Sequence, residues 1–278
     1  MTERTNKVHS MKTRPILTSL ALASALALAL TACGSTSDDD SPATGAGSTL
    51  DLISSGTLTV CSDVPYAPFE DFDSSSPSGF KGFDVDVVTK ISEGLGLKLK
   101  IKDSSFEGLQ SGQSLNAKQC DLVASSLTIT DDRKKNLDFS DGYYDSEQSL
   151  LVPVGSSIAA IGDLSGKKVG VQQGTTGKTY TQENAAGAKI VSFPSDAEMF
   201  SAIKAGQVDA LLQDLPINIE HTKGGKFTVV EKYKTDEVYG FAMRKGNTAL
   251  VSAVNGELKK LRDDGQYDTI YNKYFATN

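Results

Sequence analysis

From residue 50 onward, short apolar runs alternate with segments in which apolar side chains recur at helical spacing. The apolar runs predict strands at residues 58–61, 97–101 and 121–124, and the spacing predicts helices at 84–95 and 107–119. Strands that alternate with helices at this pace are typical of parallel sheets covered by helices. The first part of the folded chain is therefore predicted to be an α/β unit.

The same alternation starts again further along the chain. Strands are predicted at residues 168–171, 189–193 and 208–212, with helices at 175–186 and 197–205 between them. This second set predicts a second α/β unit. The predicted fold class is thus α/β, and each unit is expected to be a mostly parallel sheet flanked by helices.

Two extended apolar segments, residues 148–153 and 238–243, connect these units, and an amphipathic helical segment at 250–275 follows the second of them. Two lobes joined by two such segments leave a cleft between them. Ligands of open α/β sheets bind beyond the carboxyl ends of the strands, so we expect a ligand site in this cleft. The predicted lobes are residues 50–147 with 241–278, and residues 148–240, with hinge segments at the ends of the second lobe.

The N-terminus has a basic start followed by an uncharged apolar run over residues 16–30. This pattern predicts a secretory signal peptide, because the run is too short and too rich in Ala for a membrane span. Translation can start at Met1 or at Met11, and both remain open. The charged residues of the start are one acidic and four basic side chains: Glu3, Arg4, Lys7, Lys12 and Arg14.

The apolar run ends in Leu30-Thr31-Ala32-Cys33, which resembles the lipobox of bacterial lipoproteins. The resemblance implies that residues 1–32 are removed and that Cys33 carries a lipid on its sulfur, whereas an ordinary signal peptide near a cysteine is the alternative. Residues 33–49 contain no large apolar side chain and predict a disordered tether. The protein is therefore expected to be exported and anchored to the outer face of the cytoplasmic membrane.

Composition and charge exclude two classes of protein. The 278 residues have 38% hydrophobic and 23% charged side chains, which argues against an integral membrane protein. The formal net charge is −7, and removal of residues 1–32 leaves 24 basic and 34 acidic side chains, about −10. An acidic protein lacks the basic surface of a nucleic-acid-binding protein. Anionic lipid also repels it, so we expect it to stand off the membrane surface.

Two cysteines besides Cys33 are present, and both lie beside predicted strands. Cys61 is late in one strand and Cys120 precedes another. Thiols of exported proteins tend to be oxidised, so we expect a Cys61–Cys120 disulfide, which requires these strands to be neighbours. Two buried free thiols are the alternative.

Side chains with complementary chemistry follow the ends of four predicted strands. They offer one arginine, several hydroxyl groups, backbone N–H groups at a helix start, and two carboxylates. Arginine binds a carboxylate with two parallel hydrogen bonds and aspartate pairs with ammonium, so this set suits a free amino acid. The strand-end residues are Asp63 and Tyr66; Ser125, Ser126, Leu127, Thr128 and Arg133; Gln172, Thr175 and Thr176; and Asp214.

Five motifs in order resemble those of the extracellular solute-binding proteins of family 3, the polar amino-acid-binding components of ABC importers. They lie at residues 82–86, 125–135, 137–141, 166–171 and 264–268. The resemblance covers the chain from Leu50 to Phe275. It implies the two-lobed type II fold of periplasmic binding proteins, a membrane permease as partner, a monomeric state and closure of the lobes around the ligand. The departures are Gly142, where the family usually has Pro, and a longer segment at 109–121.

The same resemblance implies a role for each candidate residue. Arg133 would bind the ligand carboxylate, with help from Thr128 and from the backbone of Thr176 at a helix start. Ser126 and Asp214 would bind the ammonium group. The ligand side chain would lie between aromatic rings with its polar tip at a carboxylate, and the candidate set is Asp63, Tyr66, Phe106, Ser125, Ser126, Leu127, Thr128, Arg133, Gln172, Thr175, Thr176 and Asp214.

Three other functions are alternatives to this one. The first is a dehydratase on the same fold. The exported chain keeps only His221, expected at an exposed helix end, so no histidine triad or zinc cluster is possible, whereas carboxylate chemistry with Asp63 and Asp214 stays open. A nucleotide-binding P-loop at 172–179 fails because Gln172 replaces its first glycine. A ligand-binding sensor subunit is the third. We expect no cofactor, no metal and no nucleic acid, and the identity of the amino acid stays open.

Overall fold

A computed structural model describes residues 50–276 of the chain, and its strands and helices are numbered in chain order. The predicted signal peptide, Cys33 and the predicted tether lie outside the described residues. The strands are β1 Thr57–Ser62, β2 Asp71–Phe72, β3 Phe80–Lys81, β4 Lys98–Asp103, β5 Leu122–Val123, β6 Leu137–Phe139, β7 Tyr144–Pro153, β8 Lys168–Gln172, β9 Lys189–Phe193, β10 Ala210–Asp214, β11 Phe227–Tyr239 and β12 Ala242–Arg244. The α-helices are α1 Phe83–Gly94, α2 Phe106–Gln110, α3 Gln113–Asn116, α4 Asp131–Lys134, α5 Thr176–Asn184, α6 Asp196–Lys204, α7 Leu215–Thr222, α8 Thr248–Asp263 and α9 Gln266–Phe275.

The strands form two five-stranded sheets of the same topology. The first has the order β4-β1-β5-β12-β6 and the second the order β9-β8-β10-β7-β11. In each sheet, the strand in fourth place is antiparallel to both of its neighbours, and the other four strands run in one direction. We call the part of the chain built on the first sheet the first half, and the part built on the second sheet the second half. The predicted α/β class with mostly parallel sheets is confirmed.

The chain passes between the halves twice. It leaves the first half between β6 and β7, and it returns between β11 and β12. β7 and β11 pair antiparallel from Tyr144 opposite Tyr239 to Pro153 opposite Phe227. The predicted segment 148–153 is therefore part of a longer strand, β7. This strand belongs to the second sheet and also forms one of the two connections between the halves.

The C-terminal helices return to the first half because their apolar faces pack on it. α1 buries the same face at Phe83, Val87 and Ile91, and α8 buries Leu250 and Val254 in one core with the first sheet. Apolar side chains three and four residues apart form such a face on a helix. None of the helices between residues 50 and 276 is long and apolar enough to cross a membrane.

Two predicted segments differ from the observed elements. Residues 107–119 form two short helices, because Gly112 has a left-handed φ of 81° that ends one helix and begins the next. Residues 238–243 are divided between β11 and β12, and the backbone passes Ile129 closely at Gly240. A Cβ at Gly240 would lie 2.7 Å from Ile129 Cδ1, so the crossing point has room only for glycine.

A disulfide links two neighbouring strands of the first half. Cys61 is in β1 and Cys120 precedes β5, and the structure joins them in a disulfide with a Cα–Cα distance of 5.8 Å. β1 and β5 pair in parallel, with Cys61 opposite Val123. The neighbouring strands that a bridge requires are therefore present.

Candidate functional site

A pocket lies between the two halves, where β1, β5, β8 and β10 end. Leu127 is the one predicted residue that does not line it, because its fully buried side chain packs with Leu109 and Leu115 in the core of the first half. Ser126, the residue before it, has a left-handed φ of 47°, so residues 125–128 are not a regular strand and their side chains do not alternate between two sides. The residues that line the pocket are Asp63, Tyr66, Phe106, Ser125, Ser126, Thr128, Arg133, Gln172, Thr175, Thr176 and Asp214.

Hydrogen bonds within the first half fix the loops that follow β1 and β5. The N–H of Asp63 donates to Ser125 Oγ (2.9 Å), and this hydroxyl donates to Glu70 Oε1 (2.9 Å). Ser126 has a left-handed φ of 47°, and its N–H donates to Asp84 Oδ2 (3.0 Å). Glu70 and Asp84 are fully buried beneath the pocket. Two buried carboxyl groups thus hold the two loops that carry Asp63 and Ser126.

Burial raises the pKa of both of these supporting groups. The pKa of Asp84 is about 7, although the N–H of Ser126 and the hydroxyl of Tyr143 donate to it. The pKa of Glu70 lies well above its usual value, because the charge of Asp84 adds to the effect of burial. Two neighbouring buried carboxyl groups do not both ionise readily, so the pair favours a state that retains a proton.

Arg133 is the cation of the pocket, and α4 positions it. The N–H of Arg133 donates to the N-cap side chain of Thr130 (3.2 Å), which fixes the start of this short helix. The guanidinium donates to the carbonyl oxygens of Thr128 (2.8 Å) and of Gly174 in the second half (3.0 Å). Its central carbon lies 5.5 Å from the ring centroid of Phe106.

Arg133 is only 6% exposed, yet within residues 50–276 no carboxylate oxygen lies within 4.0 Å of its guanidinium. Burial lowers the pKa of Arg133 to about 10, against the opposing effect of the charges of Asp214 and Glu237, so the group stays charged at neutral pH. A buried cation without a contacting anion is costly. The geometry therefore suits a ligand that brings a carboxylate.

Gln172 and Asp63 meet across the pocket. The amide Nε2 of Gln172, the last residue of β8, donates to Asp63 Oδ2 (2.6 Å) and to the carbonyl of Pro194 (3.2 Å). Burial raises the pKa of Asp63 to about 7, and the bond from Gln172 opposes this rise. A cationic group placed at Asp63 would favour its ionised form.

The start of α5 forms part of the pocket wall in the second half, next to Arg133. Thr175 caps this helix, accepting from the N–H of Lys178 (3.1 Å) and donating to the carbonyl of Gln172 (2.8 Å). Thr176 is the first helical residue, and its hydroxyl lines the pocket. The backbone N–H groups at a helix start attract negative charge, so this wall also suits a carboxylate.

Asp214 ends β10 and is buried, with 7% of its surface exposed. Its carboxylate accepts hydrogen bonds from the hydroxyls of Tyr66 (3.0 Å) and Tyr239 (2.5 Å) and from Gln148 Nε2 (2.5 Å). Burial raises the pKa of Asp214 to about 7, and the charge of Glu237 adds to the rise. An ammonium group next to Asp214 would offset both effects.

Three polar residues beside the site were not predicted from the sequence. Gln148 and Tyr239 donate to Asp214, and Glu237 accepts from the hydroxyl groups of Thr128 and Thr176. All three are on β7 or β11. The sequence did contain a signal for these residues. They are polar, and they lie within or beside the predicted connecting segments 148–153 and 238–243, which are mostly apolar.

The predicted exposure of His221 was wrong, although the residue does lie in the last turn of a helix, α7. Its side chain is 11% exposed, and its Nε2 lies 2.9 Å from Asp196 Oδ1. Its ring stacks on Phe200, with 3.7 Å between centroids. The last turn of α7 packs against α6, so the histidine is enclosed. Within residues 50–276, no group of three or more His, Cys, Asp or Glu side chains is placed to hold a metal ion.

The profile of the bacterial extracellular solute-binding proteins, family 3, matches residues 58–277. The chain belongs to this family. The family assignment and the fold class predicted from the five motifs are confirmed. The family is described as extracellular, which agrees with the predicted export.

Individual relatives agree with this assignment. A probable histidine-binding protein of Neisseria gonorrhoeae is 35% identical over 90% of this chain and 92% of its own length. A glutamine-binding protein of a Bacillus subtilis ABC transporter is 37% identical, covering 72% of this chain and 74% of its own. The solved structure of an ancestral arginine-binding protein bound to glutamine has a TM-score of 0.75 and 36% identity, covering 80% of this chain and 99% of its own. These relatives are named as binding proteins and not as enzymes.

Proposed function

We propose that this protein is the lipid-anchored, extracellular binding component of an ABC importer and that it captures a polar or basic amino acid. The observation that carries the proposal is the buried Arg133, which faces the pocket with no contacting carboxylate among residues 50–276. Asp214 lies in the other wall of the same pocket and can receive an ammonium group. A free amino acid supplies both partners. In this proposal the lobes are residues 50–147 with 241–278, and residues 148–240.

Each end of the ligand would meet groups of matching charge. The α-carboxylate would lie at Arg133, near the hydroxyl of Thr128 and the N–H of Thr176. The α-ammonium would lie between Ser126 and Asp214. The ligand side chain would extend along Tyr66 and Phe106 toward Asp63, while Ser125, Gln172 and Thr175 hold these groups in place.

The balance of charge in the pocket favours a basic side chain. Asp63 and Asp214 are both buried, and burial raises the pKa of each to about 7, whereas Arg133 is the only cation among the lining residues. An amino acid with a positive side chain would pair all three groups. Glutamine would pair Arg133 and Asp214 and could donate to Asp63 from its amide.

The lipid anchor and the permease belong to the same proposal. Leu30-Thr31-Ala32-Cys33 has the order of a lipobox, and the small polar residues 33–49 would let the folded part reach a membrane partner. The exported chain carries a net charge of about −10, which would keep it off anionic lipid. A single protein copy would then deliver its ligand to the permease.

A calorimetric titration of the purified protein with single amino acids tests the proposal. We expect L-arginine, L-lysine, L-histidine or L-glutamine to bind with a Kd of roughly micromolar or below, which corresponds to about −8 kcal/mol. The bound amino acid should be recovered unchanged, which separates binding from dehydratase activity. Failure of every amino acid, including L-cystine and L-ornithine, to bind would contradict the proposal.

A second experiment tests the anchor. Replacement Cys33→Ser should release the protein from the membrane fraction into the medium or periplasm, because the acylated sulfur is lost. Amino-acid binding by the released protein should be unchanged. A protein that stays membrane-bound after this replacement would contradict lipid anchoring while leaving amino-acid binding intact.

A further inference from the structure

Glu237 lies where β7 and β11 cross between the halves. It pairs with Ser146 of β7, immediately after an irregularity in the β11 register, and the preceding Asp236 has a left-handed φ of 52°. Bulged residues redirect the side chains that follow them. The side chain of Glu237 is thereby placed in the interior, where the residue is 9% exposed.

The carboxylate of Glu237 joins the two walls of the pocket. Its Oε2 accepts from the hydroxyl of Thr128 in the first half and from the hydroxyl of Thr176 in the second half, each at 2.8 Å. Its Oε1 accepts from Gln148 Nε2 at 3.0 Å. Within residues 50–276, no Lys or Arg nitrogen lies within 4.0 Å of it. Neutral donors alone therefore hold this carboxylate.

Two of these donors adjoin the place proposed for the ligand carboxylate. A hydroxyl group has one proton, so Thr128 and Thr176 cannot donate both to Glu237 and to a second carboxylate. A ligand carboxylate at Arg133 would also bring a second negative charge close to Glu237. Glu237 lies beside the two groups proposed to bind the ends of the ligand. Gln148 Nε2 donates to both Glu237 and Asp214, and Thr128 donates its hydroxyl to Glu237 while its carbonyl accepts from Arg133.

We propose that Glu237 is an internal competitor for the carboxylate subsite: its side chain occupies the hydroxyl donors of Thr128 and Thr176, and a ligand carboxylate must displace it. The proposal rests on the proposed function, because that function places the ligand carboxylate at Arg133, beside the hydroxyl of Thr128 and the N–H of Thr176. Glu237 would weaken amino-acid binding and hold the walls together in the absence of ligand. Displacement of Glu237 would replace a closed form that Glu237 holds together with a closed form that the ligand holds together.

Replacement Glu237→Gln tests this role with little change of shape. The amide is neutral and accepts hydrogen bonds more weakly than a carboxylate, so we expect the Kd for the amino acid to fall roughly tenfold. The matched control is Asp236→Asn, which removes a neighbouring negative charge from a side chain that is 81% exposed, at a left-handed position that Asn tolerates. The control should change the Kd by less than about twofold.

The measurement is calorimetric titration of the wild type and both variants with L-arginine and with L-glutamine, accompanied by thermal unfolding to check folding. An unchanged or higher Kd in Glu237→Gln would overturn the inference, and so would an equal gain in Asp236→Asn. If the wild type binds no amino acid in the wider screen, the proposed function fails instead. The two failures are therefore distinguishable.

A crystal structure of the wild-type complex supplies a test that does not depend on a variant. We expect the hydroxyls of Thr128 and Thr176 to lie within hydrogen-bond distance of the ligand carboxylate, and the side chain of Glu237 to have left both. A complex in which Glu237 keeps both hydroxyls would overturn the inference.

Discussion

The two walls of the pocket are built differently. In the first half, the loops that carry Asp63 and Ser126 are held by bonds within that half: the N–H of Asp63 donates to Ser125, and the N–H of Ser126 donates to Asp84. In the second half, two of the side chains that face the pocket bond across it. Gln172 donates to Asp63, and Asp214 accepts from the hydroxyl of Tyr66.

This difference indicates which wall has its binding groups in place before the pocket closes. Groups that are held by bonds within their own half keep their geometry when the halves separate, and such preorganisation lowers the cost of binding. Groups that depend on the other half acquire their geometry only when the pocket closes. We therefore expect the amino acid to bind the first half initially and the second half to complete the site on closure.

The largest expected effect separates the two walls directly. Arg133→Ala should raise the Kd for the amino acid roughly a thousandfold or more, because the ligand carboxylate loses its buried cation in the wall that binds first. Asp214→Asn should raise it only roughly thirtyfold, since the first half still holds the ligand. Titration calorimetry measures both.

The control is Lys135→Ala, whose ammonium is 72% exposed two residues from Arg133 and which should bind like the wild type. If Asp214→Asn costs as much as Arg133→Ala, the walls contribute equally and the proposed order of binding is wrong.

The next effect concerns stability. Replacement of Cys61 and Cys120 by Ala should lower the unfolding free energy by roughly 4 kcal/mol, because the bridge closes a loop of 59 residues in the unfolded chain. Both cysteines are in the first half. Urea unfolding measures the total loss, and hydrogen exchange should show faster opening in the first half than in the second. Equal acceleration in both halves would show that they unfold as one unit.

The smallest effect is a pH dependence of the supporting pair. Burial raises the pKa of Asp84 to about 7, so its stabilising contribution is complete below its unfolded pKa of about 4 and is lost as the pH rises through about 7. Asp84→Asn stays neutral, so its unfolding free energy should fall less steeply between pH 4 and pH 7. The expected difference is at most about 1.4 kcal/mol per pH unit for one proton.

Chemical denaturation at a series of pH values measures this slope. Asp63 and Asp214, whose pKa values are also about 7, should leave a residual slope in the variant. The control is Asp73→Asn, because hydrogen bonds from Ser75 lower the pKa of Asp73 and place its titration below the tested range. If the unfolding free energy falls equally steeply with pH in Asp84→Asn and in the wild type, Asp84 does not contribute this pH dependence.

Much of the fold and of the candidate site was predictable because its signals are local. Apolar runs and helical spacing indicate where strands and helices lie, and a side chain that directly follows a strand lies at the edge of the sheet. This is how Asp63, Gln172 and Asp214 were selected, and all three line one pocket. Leu127 was misplaced because its direction depends on the core behind it, which local spacing does not describe.

The α/β pattern can be read from the sequence alone, and so can the family motifs and the residue types at the strand ends. Which buried groups hold those residues depends on the tertiary structure. Thr128 and Glu237 are 109 residues apart, and Tyr143 and Asp84 are 59 apart. Similarly, Asp196 encloses His221 from 25 residues away. Such contacts exist only once two distant segments share one interior, and there the cost of burying a polar group without a partner selects the pairs.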